Sequence, residues 1–298
     1  MASVVILGLF PSHAFSTTNN ECAALYVAGG TATCVAGSYA TGIHYRQPDY
    51  TLILQNGVIA YTTTSSSATG GDAVTMSATG NLKLTMQGTV TLSTLATDMD
   101  GIRVDAYNNG NVYIDSTANI TTTGGSSDGI IARSTSSVSG TPNGLGTGDV
   151  YVKSSGNITL NGSLTSGILA STKGNLNIEI EDGTISVLNG RYGVSAFGQG
   201  AGAVRVNQME GNITSQTGIY TRNNGTGSTT TIQTAGDVTG IRQYGIYAIN
   251  SGGSGDINIT QIKGKVLGEI YGMYVSNTGV ESTTINTAGQ VLGNRRNG

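Results

Sequence analysis

Three aspartates are the residues whose type and spacing best suit chemistry. Asp72, Asp100 and Asp128 lie 28 residues apart, and each stands directly before a repeated small residue. If each interval is one turn of a stacked fold, the three carboxylates form a column with a spacing of about 5 Å. Clustered acids can bind Ca²⁺ or act as acid and base on a sugar. The alternative is a structural role, in which each Asp bonds backbone groups in a turn.

A second catalytic pattern is present but isolated. Residues 125–129 read G-x-S-x-G, which in hydrolases places a nucleophilic Ser between a strand and a helix. No helical periodicity follows it, and neither His13 nor His44, the only histidines, is placed to act as a base. In a chain rich in Gly and Ser such a match arises by chance. We therefore predict no enzymatic activity, no metal and no cofactor.

These motifs belong to a chain that repeats itself. A small residue followed by an aliphatic one recurs at intervals of 25 to 38 residues. The copies begin at Gly42, Ala73, Gly101, Gly129, Gly167, Gly193, Gly218, Gly245 and Gly272. Such an array indicates a stack of similar units, because one repeat alone cannot bury its apolar face.

Each period contains three short runs in which apolar and polar residues alternate, as in residues 245–250, 111–114 and 157–160. Alternation with period 2 indicates strands, and the Gly, Asn, Asp and Ser between the runs indicate turns. The pattern predicts an all-β fold. Specifically, we expect a right-handed parallel β-helix with three strands per turn and about nine turns of roughly 27 residues.

The chain divides into three segments on composition. Residues 1–14 read as an export signal or its remnant, although a first buried strand is the alternative. Residues 15–41 form an N-terminal cap closed by a Cys22–Cys34 disulfide, since an exported chain with two cysteines favours pairing. Residues 42–298 form the β-helix, which we expect to continue beyond this chain because no capping repeat is visible.

Charge and polar motifs exclude several partners. The net charge is −3 and only 10% of residues are charged, so we expect neither nucleic acid nor an anionic membrane as a partner.

Six N-x-S/T triplets fit turn Asn followed by strand Thr better than glycan sites; they begin at Asn119, Asn157, Asn161, Asn212, Asn224 and Asn258. The longest repeat contains an insertion at residues 134–147, which is either a functional loop or a flexible surface loop without a function of its own.

The strongest surface feature is tyrosine. The residue two after each repeated Gly is predicted to point outward, and the residue before the Gly lies near it. These positions hold six tyrosines, namely Tyr192, Tyr220, Tyr244, Tyr247, Tyr271 and Tyr274. Ile131 and Leu169 occupy the outward position in earlier turns. Because Tyr is enriched in interfaces, we predict that these eight residues bind a partner; stacking that merely stiffens the sheet is the alternative.

The export signal, the Thr-, Ser-, Asn- and Gly-rich β-helix, the scarcity of charge and the near absence of Cys resemble the passenger domains of bacterial autotransporters (type V secretion). The translocating barrel of that family is absent, so the resemblance implies a C-terminally truncated passenger. It also implies export through the periplasm and outer membrane, display or release at the bacterial surface, and contact with host cells. Known passengers include adhesins, proteases, self-associating proteins and pro-angiogenic ligands of a host growth-factor receptor. The Gly-Asp-Ser-Gly motif of protease passengers is missing.

We therefore expect a virulence factor that binds a host cell-surface receptor or matrix protein, as an adhesin or a receptor-activating ligand. No membrane insertion by this chain is expected. A second hypothesis is self-association through outward polar positions such as Thr231, Asn258 and Thr284. A third is a carbohydrate-active β-helix enzyme that uses the aspartate column.

Overall fold

A computed structural model describes residues 22, 28–63, 71–137, 144–251, 255–278 and 281–294. The predicted export signal, residues 1–14, lies outside these residues. Within them every regular element is a β-strand. The same residues contain no helix with the length and apolar character needed to cross a membrane.

The described residues form 27 strands, numbered in chain order. They are β1 Thr31–Cys34, β2 Gly37–Tyr39, β3 Ile43–Tyr45, β4 Thr51–Leu54, β5 Val58–Thr62, β6 Val74–Thr79, β7 Leu82–Met86, β8 Val90–Thr94, β9 Ile102–Tyr107, β10 Val112–Ser116, β11 Ala118–Thr122, β12 Ile130–Ser134, β13 Val150–Ser154, β14 Ile158–Leu160, β15 Ser166–Thr172, β16 Leu176–Ile180, β17 Ile185–Gly198, β18 Val204–Gln208, β19 Asn212–Asn223, β20 Thr230–Thr234, β21 Asp237–Gly240, β22 Tyr244–Asn250, β23 Ile257–Gln261, β24 Lys265–Gly268, β25 Tyr271–Asn277, β26 Thr283–Thr287 and β27 Gln290–Gly293.

The strands stack into a parallel β-solenoid. One sheet has ten strands, from β1 through β4, β7 and onward to β26. The other has 17 strands and covers two faces, because β17 and β19 each run from one face onto the next. We call the face that starts at the repeated Gly the glycine face; it comprises β3, β6, β9, β12, β15, β22, β25 and the second halves of β17 and β19.

The strand register aligns the repeats as predicted. On the glycine face Ile102 pairs with Ile130, which pairs with Ile168, and all three are fully buried. On the ten-stranded sheet Val112 pairs with Val150. Each turn therefore buries one apolar column per face, and the columns join into a single core. The predicted all-β helical stack of about nine turns of roughly 27 residues is confirmed.

The repeated Gly has a steric cause. A Cβ atom at Gly101 would clash with Ile120 Cγ2 and lie 2.7 Å from the Gly129 carbonyl oxygen. The Gly and the aliphatic residue after it are both buried, as at Gly245 and Ile246. The residue before the Gly and the residue two after it consequently both face outward.

Asparagines at strand starts tie successive turns together. Asn119 Oδ1 accepts a hydrogen bond from the Asn157 amide at 3.2 Å, and Asn157 Oδ1 accepts one from the Thr184 amide at 3.0 Å. These exposed side chains satisfy backbone donors of the next turn. Asn119 and Asn157 therefore recur for a structural reason, as expected if each Asn stands in the turn before a strand.

The N-terminal segment joins the stack earlier than residue 42. Cys22 and Cys34 form the predicted disulfide, with their Cα atoms 4.8 Å apart. Strand pairing begins at Thr31, which pairs with Thr51. Part of the segment predicted as a cap, residues 15–41, is therefore the first turn of the solenoid; residues 15–21 and 23–27 lie outside the described part.

We expect Gly101→Ala to lower the free energy of unfolding by about 1 to 3 kcal/mol, because the new methyl group overpacks a filled site. Gly125→Ala is the matched control, since its Cβ would meet nothing closer than Ser163 Oγ at 3.5 Å. Thermal unfolding followed by circular dichroism measures both. Equal losses in the two variants would contradict the steric account.

Candidate functional site

The glycine face presents three outward columns, which we name by position relative to the repeated Gly. The −1 column reads Thr41, Asp72, Asp100, Asp128, Ser166, Tyr192, Thr217, Tyr244 and Tyr271. The +2 column reads His44, Thr75, Arg103, Ile131, Leu169, Ser195, Tyr220, Tyr247 and Tyr274. The +4 column includes Asp105, Arg133, Ser171, Phe197 and Arg222. The predicted aspartate and tyrosine sites are thus two ends of one surface.

The aspartates form a ladder between turns. Asp72 Oδ1 accepts the Asp100 amide at 2.8 Å, Asp100 Oδ1 accepts the Asp128 amide at 2.7 Å, and Asp128 Oδ1 accepts the Ser166 amide at 2.5 Å. The predicted column is confirmed. Each carboxylate bonds the backbone of the following turn rather than that of its own turn.

Burial raises the proton affinity of the aspartate ladder, and like charges add to this effect at Asp100. Burial raises the pKa of Asp72 above its usual value. Burial also raises the pKa of Asp100, and the charges of Asp72 and Asp128 raise it further. Burial raises the pKa of Asp128 to about 6, despite the hydrogen bonds from Ser166. Asp128 therefore takes up a proton in a mildly acidic range where exposed Asp does not.

An ion-pair network flanks this ladder. Asp105, only 4% exposed, lies between two arginines. Its Oδ1 is 2.6 Å from Arg133 Nε and its Oδ2 is 2.9 Å from Arg103 Nε, while Arg103 also reaches Asp100 Oδ2 at 3.3 Å. Burial would raise the pKa of Asp105, but the hydrogen bonds and charges of Arg133 and Arg103 outweigh burial and hold this pKa below its usual value.

The Ser of the G-x-S-x-G stretch and His44 each lie within hydrogen-bonding distance of a backbone carbonyl oxygen. Ser127 of the G-x-S-x-G stretch is fully buried, and its hydroxyl lies 3.2 Å from the Ala96 carbonyl oxygen. His44 Nε2 lies 2.9 Å from the Thr41 carbonyl oxygen. Across the part of the chain that the structure describes, no three or more His, Cys, Asp or Glu side chains form a metal-binding group.

Six tyrosines form one continuous cluster at the other end of the face, which we call the tyrosine ladder. The rings of Tyr192 and Tyr220 stack with centroids 4.7 Å apart. Tyr220 contacts Tyr247 at 5.5 Å, and Tyr247 contacts Tyr244 at 4.6 Å and Tyr274 at 5.0 Å. The sixth ring, that of Tyr271, stacks on Tyr244 at 6.1 Å. All six predicted tyrosines are therefore brought together.

The ladder is accessible from outside. Tyr271 is 43% exposed and Tyr274 is 39% exposed, and the other four rings are half-buried. Burial, followed by the neighbouring tyrosines, raises the pKa of Tyr247. The Tyr247 hydroxyl consequently stays neutral at physiological pH, where it can donate and accept hydrogen bonds.

The two predicted aliphatic contacts have different outcomes. Ile131 lies in the outward column between Arg103 and Leu169, yet only 6% of it is exposed. It is therefore too buried to provide the free contact that its position predicted. Leu169 is half-buried and separated from Tyr220 by Ser195 in the same column. Thr231, Asn258 and Thr284 align on the ten-stranded sheet, away from the tyrosines.

The +4 column is the part of the face that sequence reasoning missed. It contains Asp105 and Arg133 of the ion-pair network, and also Phe197 and Arg222, whose guanidinium lies 5.8 Å from the Phe197 ring centroid. The repeat period that predicts the +2 column also predicts the +4 column, because residues two positions apart in a strand lie on the same face.

Comparison of the chain with protein-family models, curated proteins and solved structures gave no match. The resemblance to autotransporter passengers accordingly rests on repeat style and on the β-solenoid. The function has to be inferred from the glycine face itself.

We expect Asp128→Asn to stabilise the protein above pH 6. The pKa of Asp128 in the folded protein, about 6, exceeds its value in the unfolded chain. Protonated Asp128 therefore contributes its full stabilisation below the unfolded pKa, and this contribution to the free energy of unfolding is lost as pH rises through 6. Asn keeps the oxygen that accepts the Ser166 amide and removes the charge. The expected gain at pH 8 is on the order of 1 to 3 kcal/mol, with a shallower decline of stability between pH 4 and 7. Denaturant unfolding across this range measures it.

Asp105→Asn should have the opposite effect. The pKa of Asp105 is lowered in the folded protein. Ionised Asp105 therefore stabilises the fold above its unfolded pKa, and this stabilisation is lost as pH falls through its folded pKa. Removing this carboxylate leaves two arginines without their shared partner, at a cost of about 3 to 5 kcal/mol at pH 7. The same unfolding series measures it, and stabilisation by both substitutions would disprove this division of roles.

Proposed function

We propose that this chain is a recognition rod that binds a protein partner through the tyrosine ladder. The observation that carries the proposal is the continuous contact of six outward tyrosines over four turns of one face. Tyr supplies a large apolar contact area together with a polar tip, and it is frequent among the residues that dominate binding energy.

Rigidity favours this use of the ladder. The rings already contact one another across turns, and the backbone beneath them is held in a parallel sheet. Few rotamers remain to be lost when a partner binds, so a larger share of the contact energy appears as affinity. The surface is thus organised before the partner arrives.

Ring orientation gives the ladder a varied surface. Tyr192 and Tyr220 are within 16° of parallel, and Tyr244 and Tyr271 are within 9°. Tyr247 meets Tyr274 edge to face at 75°, so the ladder presents ring faces, ring edges and hydroxyls together. Such a surface suits mixed apolar and hydrogen-bonding contacts with another protein.

The setting that we propose is extracellular. The Cys22–Cys34 disulfide fits an oxidising compartment, and the β-solenoid fits a bacterial autotransporter passenger. On this basis the partner is a host cell-surface receptor or matrix protein, and the chain acts as an adhesin or as a receptor-activating virulence factor. Self-association is the alternative, and a concentration-dependent elution volume in size-exclusion chromatography would favour it.

The double substitution Tyr247→Ser and Tyr274→Ser should reduce binding to cultured endothelial and epithelial cells by about a hundredfold or more, because it removes two central rings of the ladder. Saturation binding of purified, monomeric protein measures this effect. Phosphorylation of a cell-surface receptor after binding would distinguish a signalling ligand from an adhesin.

The matched control is Tyr113→Ser with Tyr151→Ser. These two rings also stack, with centroids 5.0 Å apart, but they lie on the ten-stranded sheet. Circular dichroism should show an intact β-sheet in both variants. Full cell binding by the ladder variant, or equal loss in the control, would refute the proposal.

A further inference from the structure

The inserted loop borders the glycine face. Its described ends, residues 134–137 and 144–147, form a stem in which Thr135 and Leu145 make an antiparallel bridge. The Gly146 amide donates to the Ser134 carbonyl oxygen at 2.9 Å, and the Lys173 amide donates to the Gly146 carbonyl oxygen at 2.7 Å. The stem is therefore fixed to the solenoid and forms a wall beside the +2 and +4 columns. Residues 138–143 lie outside the described part.

A cavity of about 540 Å³ lies between this wall and the face. Its volume falls in the range of sites that bind small ligands or inserted side chains. The apolar lining consists of Leu145, Leu169, Phe197 and Tyr220. Tyr220 also belongs to the tyrosine ladder, so the cavity and the ladder are one continuous surface.

The charged lining is entirely cationic. Two arginines, Arg133 and Arg222, contribute to the cavity, and no acidic residue does. Arg133 is paired with Asp105, whose oxygens lie 2.6 Å and 2.9 Å from its guanidinium and which it shares with Arg103. The exposed Arg222 donates to the neutral Asn224 Oδ1 at 3.1 Å, and its guanidinium lies 5.8 Å from the Phe197 ring centroid. Among the described residues Arg222 has no carboxylate within ion-pair distance, so the cavity has one uncompensated positive charge beside apolar walls.

We propose that this cavity binds a carboxylate attached to an apolar group, with the carboxylate at Arg222 and the apolar part against Phe197 and Leu169. A guanidinium forms paired hydrogen bonds with a carboxylate, and these bonds are stronger beside apolar walls than in water. Arg222 and Ser171 are two turns apart in the +4 column, so the occupant spans about 10 Å.

The occupant that we assign is an acidic, apolar segment of the protein partner. This assignment rests on the proposed function, because the cavity shares Tyr220 with the tyrosine ladder. A partner seated on the ladder lies next to the cavity and can insert an adjoining Glu or Asp with its apolar neighbour. A free organic carboxylate has the same chemistry, and the experiments distinguish the two sources.

The first experiment needs no partner. Binding of 4-phenylbutanoate and of the uncharged 4-phenylbutanamide to the full chain is titrated by ligand-observed NMR. The unsubstituted protein should bind the carboxylate at least about tenfold more tightly than the amide, and Arg222→Gln should remove that preference. Arg205→Gln, which changes an exposed arginine of β18 on the ten-stranded sheet, should retain it. Equal affinity for the two probes, no binding of either, or an unchanged preference in Arg222→Gln overturns the site.

The second experiment separates the sources. Arg222→Gln should lower saturable binding to cultured cells by about tenfold, whereas Arg205→Gln should leave it unchanged. If the probes behave as expected but Arg222→Gln binds cells normally, the assignment to the partner is wrong and the ligand is a free carboxylate. If the unsubstituted chain does not bind cells at all, the proposed function fails, together with the assignment to a partner, and the probe titration still decides the chemistry of the cavity.

Discussion

Parallel, in-register stacking is the constraint on which every other feature of this protein depends. The strands of each turn complete their backbone hydrogen bonds with the strands of the turns above and below. This pairing sets the spacing between equivalent residues at about 4.8 Å. Any residue type that recurs at one position of the repeat is therefore forced into contact with its own kind.

Different residue types respond to this forced contact in different ways. Ile and Val form dry columns that make up the core, and Asn119 and Asn157 use their side-chain oxygens to satisfy backbone donors of the next turn. Tyrosines gain ring contacts. Aspartates satisfy backbone donors too, but their charges repel one another, which raises the pKa of Asp100 beyond the effect of burial. The arginines beside Asp105 offset part of that charge.

The glycine face thus has two ends with different properties. The N-terminal end is a buried network of acids and arginines whose polar atoms are largely engaged within the solenoid. The C-terminal end presents aromatic rings, an uncompensated Arg222 and a cavity beside the inserted loop. A rigid scaffold suits such a surface, because a partner then meets contacts that are already in place. This division along one rod is the basis on which we propose recognition as the function.

The sequence by itself determined the architecture, because a repeated period with three alternating runs buries its apolar residues when its turns stack on one another. It also determined the two tyrosine columns and the aspartate column, since residues at equal positions of a repeat must stack. Contacts between columns, such as that of Tyr192 with Tyr220, then join the tyrosines into one ladder. Only the tertiary structure decided contacts between unlike positions. The burial of Ile131, the ion pairs of Arg103 with Asp100 and Asp105, and the cavity beside Leu145 depend on side-chain reach across columns and on the course of a non-repeating loop, for which the repeat period has no information.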